Sequence, residues 1–301
     1  MRLWRQPLRD GGIKKGKHNM ANSTSHGFTN RFIQHLAVVL AALALVSCAQ
    51  PGDPAREGVQ VGGNSAFADL VSAEEVEVAA TQQYVKMMGQ ANTQKALAPA
   101  NHPQVVRLRA IAAKIIPHAT TWNPRAKAWK WEVNLVNSDQ INAFCMPGGK
   151  IAFFSGILDQ LKLTDDEAAM VMGHEFAHAL REHARERMGK GAATSIGANI
   201  FSQLFGLGEL GQTVTGYGAQ LLTLQFGRED ESEADLVGME LAARAGYNPR
   251  AGVTLWQKMG ASSKGSPPEW LSTHPSGSTR IAEIENNLPR VMPLYEAARK
   301  R

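Results

Sequence analysis

The sequence predicts an α+β domain, mainly helical, with a small sheet just ahead of its central helix. Three observations carry that reading. Capping signals and apolar residues at helical spacing recur along most of the chain after residue 72. Residues 128–155 switch to period two, with Trp129, Trp131, Val133 and Leu135 alternating with polar residues. Once an N-terminal leader is set aside, about 250 residues remain, enough for one sizeable core.

The leader is legible in the residues. Leu36 to Val46 is an unbroken apolar run preceded by Arg31 and His35. It is too short to span a bilayer as a mature helix and matches a signal-peptide core. The run ends in Leu45-Val46-Ser47-Cys48, which resembles the bacterial lipobox and implies a lipidated Cys48 as the first mature residue. The resemblance with Ala49 in the next position favours outer-membrane sorting and a folded part facing the periplasm. The n-region is long, and Met20 offers an alternative start. The expected organisation is a signal peptide at 1–47, a Gly- and Pro-rich flexible tether at 48–66 and one domain at 67–301.

Removing the leader changes the charge reading. The chain has 32 Lys+Arg and 27 Asp+Glu, and residues 1–47 hold seven of the basic residues but only one acidic residue, Asp10. That leaves 25 basic against 26 acidic residues, a net charge of −1. No argument for nucleic acid survives. With Cys48 acylated, Cys145 is the only thiol and is read as structural.

Along the domain, Ser72-x-x-Glu75 opens a helix to about Leu97, and His102-Pro103 opens another through about Ile116. Trp129 to Leu135 gives a first strand. Ile141 to Met146 and Lys150 to Phe154 flank Pro147-Gly148-Gly149, a hairpin signal. Thr164 with Glu167 forms a capping box, and Asp165 and Asp166 suit the first turn of a helix over about 165–188. Residues 189–226 are apolar and glycine-laden, without about 20 uninterrupted apolar residues. They read as buried helices in close contact, as a lid, or as a membrane-touching surface. Charged helical pattern returns over Arg228 to Ala245, Asn248-Pro249 opens a helix to about Met259, and a last helix begins near Ser276 or Ser278.

Chemistry enters through His174-Glu175-Phe176-Ala177-His178. Two histidines at i and i+4 on one helix face can reach a single Zn²⁺. Glu175, beside the first, can take a proton from an attacking water, so the pattern points to metal-assisted hydrolysis. A catalytic zinc needs a third protein ligand. The metzincin spacing is excluded, since Arg181 and Ala184 stand where it needs Gly and His. His183 is read as a surface histidine or one supporting a ligand. Glu231 and Asp235 share a helix face at i, i+4, so Glu231 can ligate while Asp235 accepts from a ligand imidazole; Glu229 and Glu233 compete.

Together the HExxH, the ExxxD on a later helix and Thr273-His274-Pro275 resemble the gluzincin metallopeptidase family of HtpX, BepA and LoiP, to which CaaX prenyl proteases also belong. The similarity covers roughly Val105 to Leu288, and the short lipoprotein form without repeats is most similar to LoiP-type members. The resemblance implies a zincin-like fold, zinc on His174, His178 and Glu231, and Glu175 as general base. It implies that His274 either stabilises an oxyanion or takes the open metal position in a latent enzyme. Asn142, Ala143 and Phe144 are similar to the family's sheet edge ahead of the metal helix, where an extended substrate pairs. The expected function is hydrolysis of unfolded or misfolded envelope polypeptides by a tethered zinc endopeptidase. A latent or chaperone-like binding module for outer-membrane proteins, with a closed zinc site, is the competing reading, and a membrane-remodelling scaffold using residues 189–226 a third.

Overall fold

The computed structural model of the chain describes residues 57–193, 226–262, 270–271, 274 and 278–300. The expected signal peptide, Cys48, residues 49–56 of the tether and residues 194–225 of the glycine-rich stretch lie outside the described residues. Among those described are eight α-helices: α1 (Ala73–Thr93), α2 (Pro103–Ile115), α3 (Ser155–Gln160), α4 (Asp165–Leu180), α5 (His183–Ala193), α6 (Arg228–Arg244), α7 (Ala251–Ser262) and α8 (Ser278–Arg299). Three strands, β1 (Glu132–Val136), β2 (Ala143–Met146) and β3 (Lys150–Phe154), stand between α2 and α3. The protein is mainly helical with one small sheet, as its sequence predicts. None of the described helices is long and apolar enough to cross a membrane.

Local chemistry explains the element ends. Ser72 Oγ accepts from the Glu75 amide at 3.3 Å at the start of α1. That helix stops at Thr93, short of the expected Leu97, because Lys95 turns left-handed (φ 58°) and the Ala96 amide closes back onto the Ala91 carbonyl at 2.8 Å. Pro103 occupies the first turn of α2, where its missing N–H costs nothing.

The sheet order is β1-β3-β2, with β1 parallel and β2 antiparallel to β3. The β2–β3 turn needs positive φ at Gly148 (85°) and Gly149 (75°), which side-chain-bearing residues rarely adopt. Among the described residues no strand pairs with the far side of β2, so it is the sheet's edge.

Helix α4 runs through the centre. Its capping box is complete: the Glu167 amide donates to Thr164 Oγ1 at 3.3 Å and the Thr164 amide to Glu167 Oε2 at 2.9 Å. Every residue from Glu167 to Leu180 is buried. Fully buried Phe153 and Phe176 each contribute roughly 1.5–3 kcal/mol through burial. Helix α6 lies along α4, and the two backbones touch at Gly173 and Gly238. A methyl on Gly173 would fall 2.5 Å from the Gly238 carbonyl oxygen, and one on Gly238 would fall 2.5 Å from the His174 nitrogen. Only glycine permits this approach.

One helix was expected over 165–188, and two are found. Arg181 caps α4, Glu182 adopts φ 59°, and α5 restarts at His183. The break follows from what it satisfies. Arg181 reaches the Gly62 carbonyl at 2.6 Å and Glu233 at 2.6 Å, and lies over the Trp122 ring. Residues 57–71 are packed rather than loose at these points. Val59 is buried in the core, its amide donates to Glu240 Oε2 at 2.9 Å, and Arg185 donates to the Ala68 and Val71 carbonyls.

Candidate metal centre

His174 and His178 stand one turn apart on α4 and are both buried. The Gly173–Gly238 contact brings α6 close enough for Glu231 and Asp235 to face them. One donor atom from each of His174, His178, Glu231 and His274 lies within 4.8 Å of the others, and all four residues are buried. His178 Nε2 is 3.0 Å from His174 Nε2, and His274 Nδ1 is 3.3 Å from His174 Nε2 and 2.9 Å from Glu231 Oε1.

The outer faces of these ligands are held by other groups. The Nδ1–H of His174 donates to Asp235 Oδ1 at 3.0 Å. Arg280 grips Asp235 through Nε (2.5 Å) and Nη2 (2.7 Å), and Glu231 Oε2 through Nη1 (2.6 Å). Its guanidinium stacks 3.7 Å from the Trp256 ring centroid. His178 Nδ1 lies 2.9 Å from Nδ1 of His183, whose Nε2 lies 3.0 Å from Glu233 Oε2.

This arrangement fits a cation. With the Nδ1–H of His174 directed outward to Asp235, its Nε2 lone pair points at Nε2 of His178 beside the Glu231 carboxylate, a set of donor atoms that a cation would join. Glu175, Glu231 and Asp235 against one guanidinium leave an excess of two negative charges, suited to a divalent ion. Burial works to raise the Asp235 carboxyl, but Arg280 and then the His174 bond override it and hold the group at about 2. Glu231 is lowered too, its burial outweighed by the His274 bond and the neighbouring positive groups. Burial, and then the repulsion a proton on His178 would meet beside His174, His274, His183 and Arg280, pushes His178 well below the ordinary histidine value. His274 moves the other way: burial works to lower it, but Glu175 and Glu231 raise it.

Glu175 is buried beside the cluster, and the Trp270 indole N–H donates to its Oε1 at 2.7 Å. His274 Nε2 is 3.6 Å from the same oxygen. Phe226 stacks on His178 at 4.0 Å between ring centroids and on His274 at 5.5 Å.

The residues expected at the site are brought together with one distinction. His174, His178, Glu231, His274 and Glu175 converge, and Asp235 backs His174. Of the competing acids, Glu233 turns away to His183 and Arg181. Asn142, Ala143 and Phe144 lie at the start of edge strand β2, outside the metal cluster. Ala143 is buried, while the Phe144 ring packs near Tyr84 and Phe154. Burial raises the Cys145 thiol well above its usual value, which suits an inert structural residue. His183 is buried inside the protein, which settles the choice between surface and supporting roles. Trp270 and Phe226 were not read as site residues. A tryptophan in a polar, proline-rich stretch just ahead of the His-Pro motif was the available signal for Trp270; Phe226 carried none.

The fold and this site define a metallopeptidase of the HExxH class. The chain belongs to peptidase family M48, whose profile matches residues 106–288. It is 32% identical over 223 residues to the mitochondrial metalloendopeptidase OMA1 of Saccharomyces cerevisiae, covering 68% of this chain and 61% of that protein. It is 41% identical over 150 residues to the Arabidopsis thaliana OMA1, covering 50% of this chain and 30% of that one. A beta-barrel assembly-enhancing protease of Yersinia pestis is 32% identical over 173 residues, covering 53% and 35%. The chain therefore spans less than two thirds of the length of each of these relatives.

Proposed function

We propose that the chain is a membrane-tethered zinc endopeptidase that hydrolyses unfolded or misfolded polypeptides of a bacterial envelope. The observation that carries the catalytic part is the buried four-donor cluster with Glu175 held beside it by the Trp270 indole. His174, His178 and Glu231 would hold the metal, and a two-histidine, one-carboxylate donor set suits zinc. When bound, zinc supplies a Lewis acid for a carbonyl and for water. Glu175 takes the water proton and hands it to the leaving amine. The Trp270 N–H occupies Oε1, which leaves Oε2 for that proton. His274, 3.6 Å from Glu175 and raised above the ordinary histidine value by Glu175 and Glu231, is placed to stabilise developing negative charge.

The edge of β2 that no described strand pairs with, at Asn142, Ala143 and Phe144, would pair with the backbone of an extended substrate, and only an unfolded segment can present that backbone. The lipobox-like Cys48 supports tethering at an outer membrane. The name of the Yersinia pestis relative, a beta-barrel assembly-enhancing protease, supports work on β-barrel proteins. A latent reading rests on a separate observation. His274 lies within the donor cluster, and Phe226 stacks over two of its imidazoles.

The test follows cleavage of an unfolded model polypeptide by the full-length chain and by Glu175→Gln, with metal content measured in both. Cleavage by wild type alone, with zinc in both, is the expected result. Full activity in Glu175→Gln would end the general-base role. Silence from both with zinc bound would favour the latent form.

A further inference from the structure

We propose that His183 and Glu233, steadied by Arg181, form a relay that positions His178 as a metal ligand by fixing its tautomer. The inference rests on the metallopeptidase reading and adds residues that touch neither metal nor substrate. His174 has a carboxylate, Asp235, directly behind it. His178 has none. Its Nδ1 instead meets the Nδ1 of His183 at 2.9 Å, and the acid comes one residue further on, with Glu233 Oε2 at 3.0 Å from His183 Nε2.

The proton positions follow from the chain's end. Glu233 is ion-paired with Arg181 at 2.6 Å, and its carboxylate only accepts. His183 must therefore carry a proton on Nε2, and as a neutral imidazole it keeps a lone pair on Nδ1. Two nitrogens 2.9 Å apart need one proton between them, so His178 must carry its proton on Nδ1. That leaves the His178 Nε2 lone pair directed at His174, Glu231 and the metal position. The opposite tautomer would put an N–H there and forbid coordination.

The fold contains a device for building this relay. In a continuous helix His183 would lie about 140° around the axis from His178. The left-handed Glu182 breaks the helix and returns His183 to the back of His178. His183 is completely buried, and Phe226 covers the other side of His178. Arg181, at the break itself, supplies the positive charge that steadies Glu233.

The experiment uses the full-length chain, metal-stripped and then titrated with zinc against a chromophoric chelator. Wild type is compared with Glu233→Gln, His183→Leu and His183→Gln. Nitrogen-15 histidine NMR on the metal-free protein reads which ring nitrogen of His178 is protonated, and metal-free melting reports folding. Glu233→Gln and His183→Leu are expected to bind zinc roughly 10- to 100-fold more weakly. His183→Gln is expected to recover most of the loss, since its amide oxygen accepts from His178 and its NH₂ donates to Glu233. The proton of His178 should sit on Nδ1 in wild type and redistribute in Glu233→Gln. Unchanged zinc affinity in both disruptive variants, or wild-type His178 protonated on Nε2, would overturn the relay. If a variant fails to fold, the wild-type tautomer alone decides. A wild type that binds no zinc while His178 is protonated on Nδ1 would refute the metal reading and leave the relay standing.

Discussion

Gly238→Ala tests whether the backbone contact between α4 and α6 sets the metal site. The added methyl would lie 2.5 Å from the His174 nitrogen and 2.6 Å from the Gly173 carbonyl carbon. Ordinary contact begins at 3.4 Å, so the shortfall is about 0.9 Å. Both obstacles are backbone, and no side chain can swing aside. The helices must part or slide by a comparable amount. Metal–ligand distances tolerate only about 0.2 Å. Since Glu231 and Asp235 ride on α6 while His174 and His178 ride on α4, the site should open. Overpacking costs about 1–3 kcal/mol, and replacing a mid-helix glycine returns about 1 kcal/mol. Stability should therefore fall by about 0–2 kcal/mol, while zinc affinity falls at least about 10-fold. Metal-free melting and chelator competition read the two separately. Gly89→Ala on α1, with nothing within 4 Å of the added methyl, should gain stability and leave zinc affinity unchanged. A Gly238→Ala protein with wild-type zinc affinity would show that the contact does not govern ligand spacing, and the reasoning would fail.

Two further predictions concern charge. Asp235→Asn removes one of the two carboxylates that hold the buried Arg280, leaving Glu231, and should cost about 1.5–3 kcal/mol in the metal-free protein. It should also weaken zinc binding, and an unchanged melting temperature would contradict the structural part. Glu167 is held below the usual carboxyl range: burial works to raise it, but Lys258 at 2.6 Å and bonds from Thr164 and Thr254 lower it. Its contribution is thus present above the unfolded value of about 4.3 and disappears as pH falls through the folded one. Glu167→Gln keeps the cap, so wild type should be more stable near neutrality by about 1 kcal/mol or less, with the partly exposed Lys258 limiting the gain. The two melting curves should converge in acid; a constant gap across pH would exclude the ionic contribution.

Local signals made much of the protein legible. The Thr164–Glu167 box, the Pro103 start and the paired glycines at 148–149 each act within a few residues, and the structure places elements there. The HExxH spacing works for the same reason, since one helical turn fixes the separation of its histidines. Long-range chemistry was harder to see. The break at Arg181–Glu182 is favoured by Gly62, Trp122 and Glu233, all distant in sequence, against a local charge pattern that favours one helix. Gly173 and Gly238 look like ordinary helix glycines until their partners are known. Trp270 becomes part of the site only because its N–H reaches Glu175 across 95 positions.

The packed segment at residues 57–71 bears on what counts as a folding unit. The family's shared span begins at residue 106. Yet Glu240, with its side chain fully buried, takes the Val59 amide, and Arg185 spends its guanidinium on the Ala68 and Val71 carbonyls. Gly189 lies so close to Phe67 that the two backbones meet. A protein trimmed to the shared span would strip partners from the helices beside the metal centre and bare the charges that those partners cover. The contacts that tie this chain together therefore reach well beyond the span its family shares, as far as the Glu57 carbonyl, which Arg244 also holds.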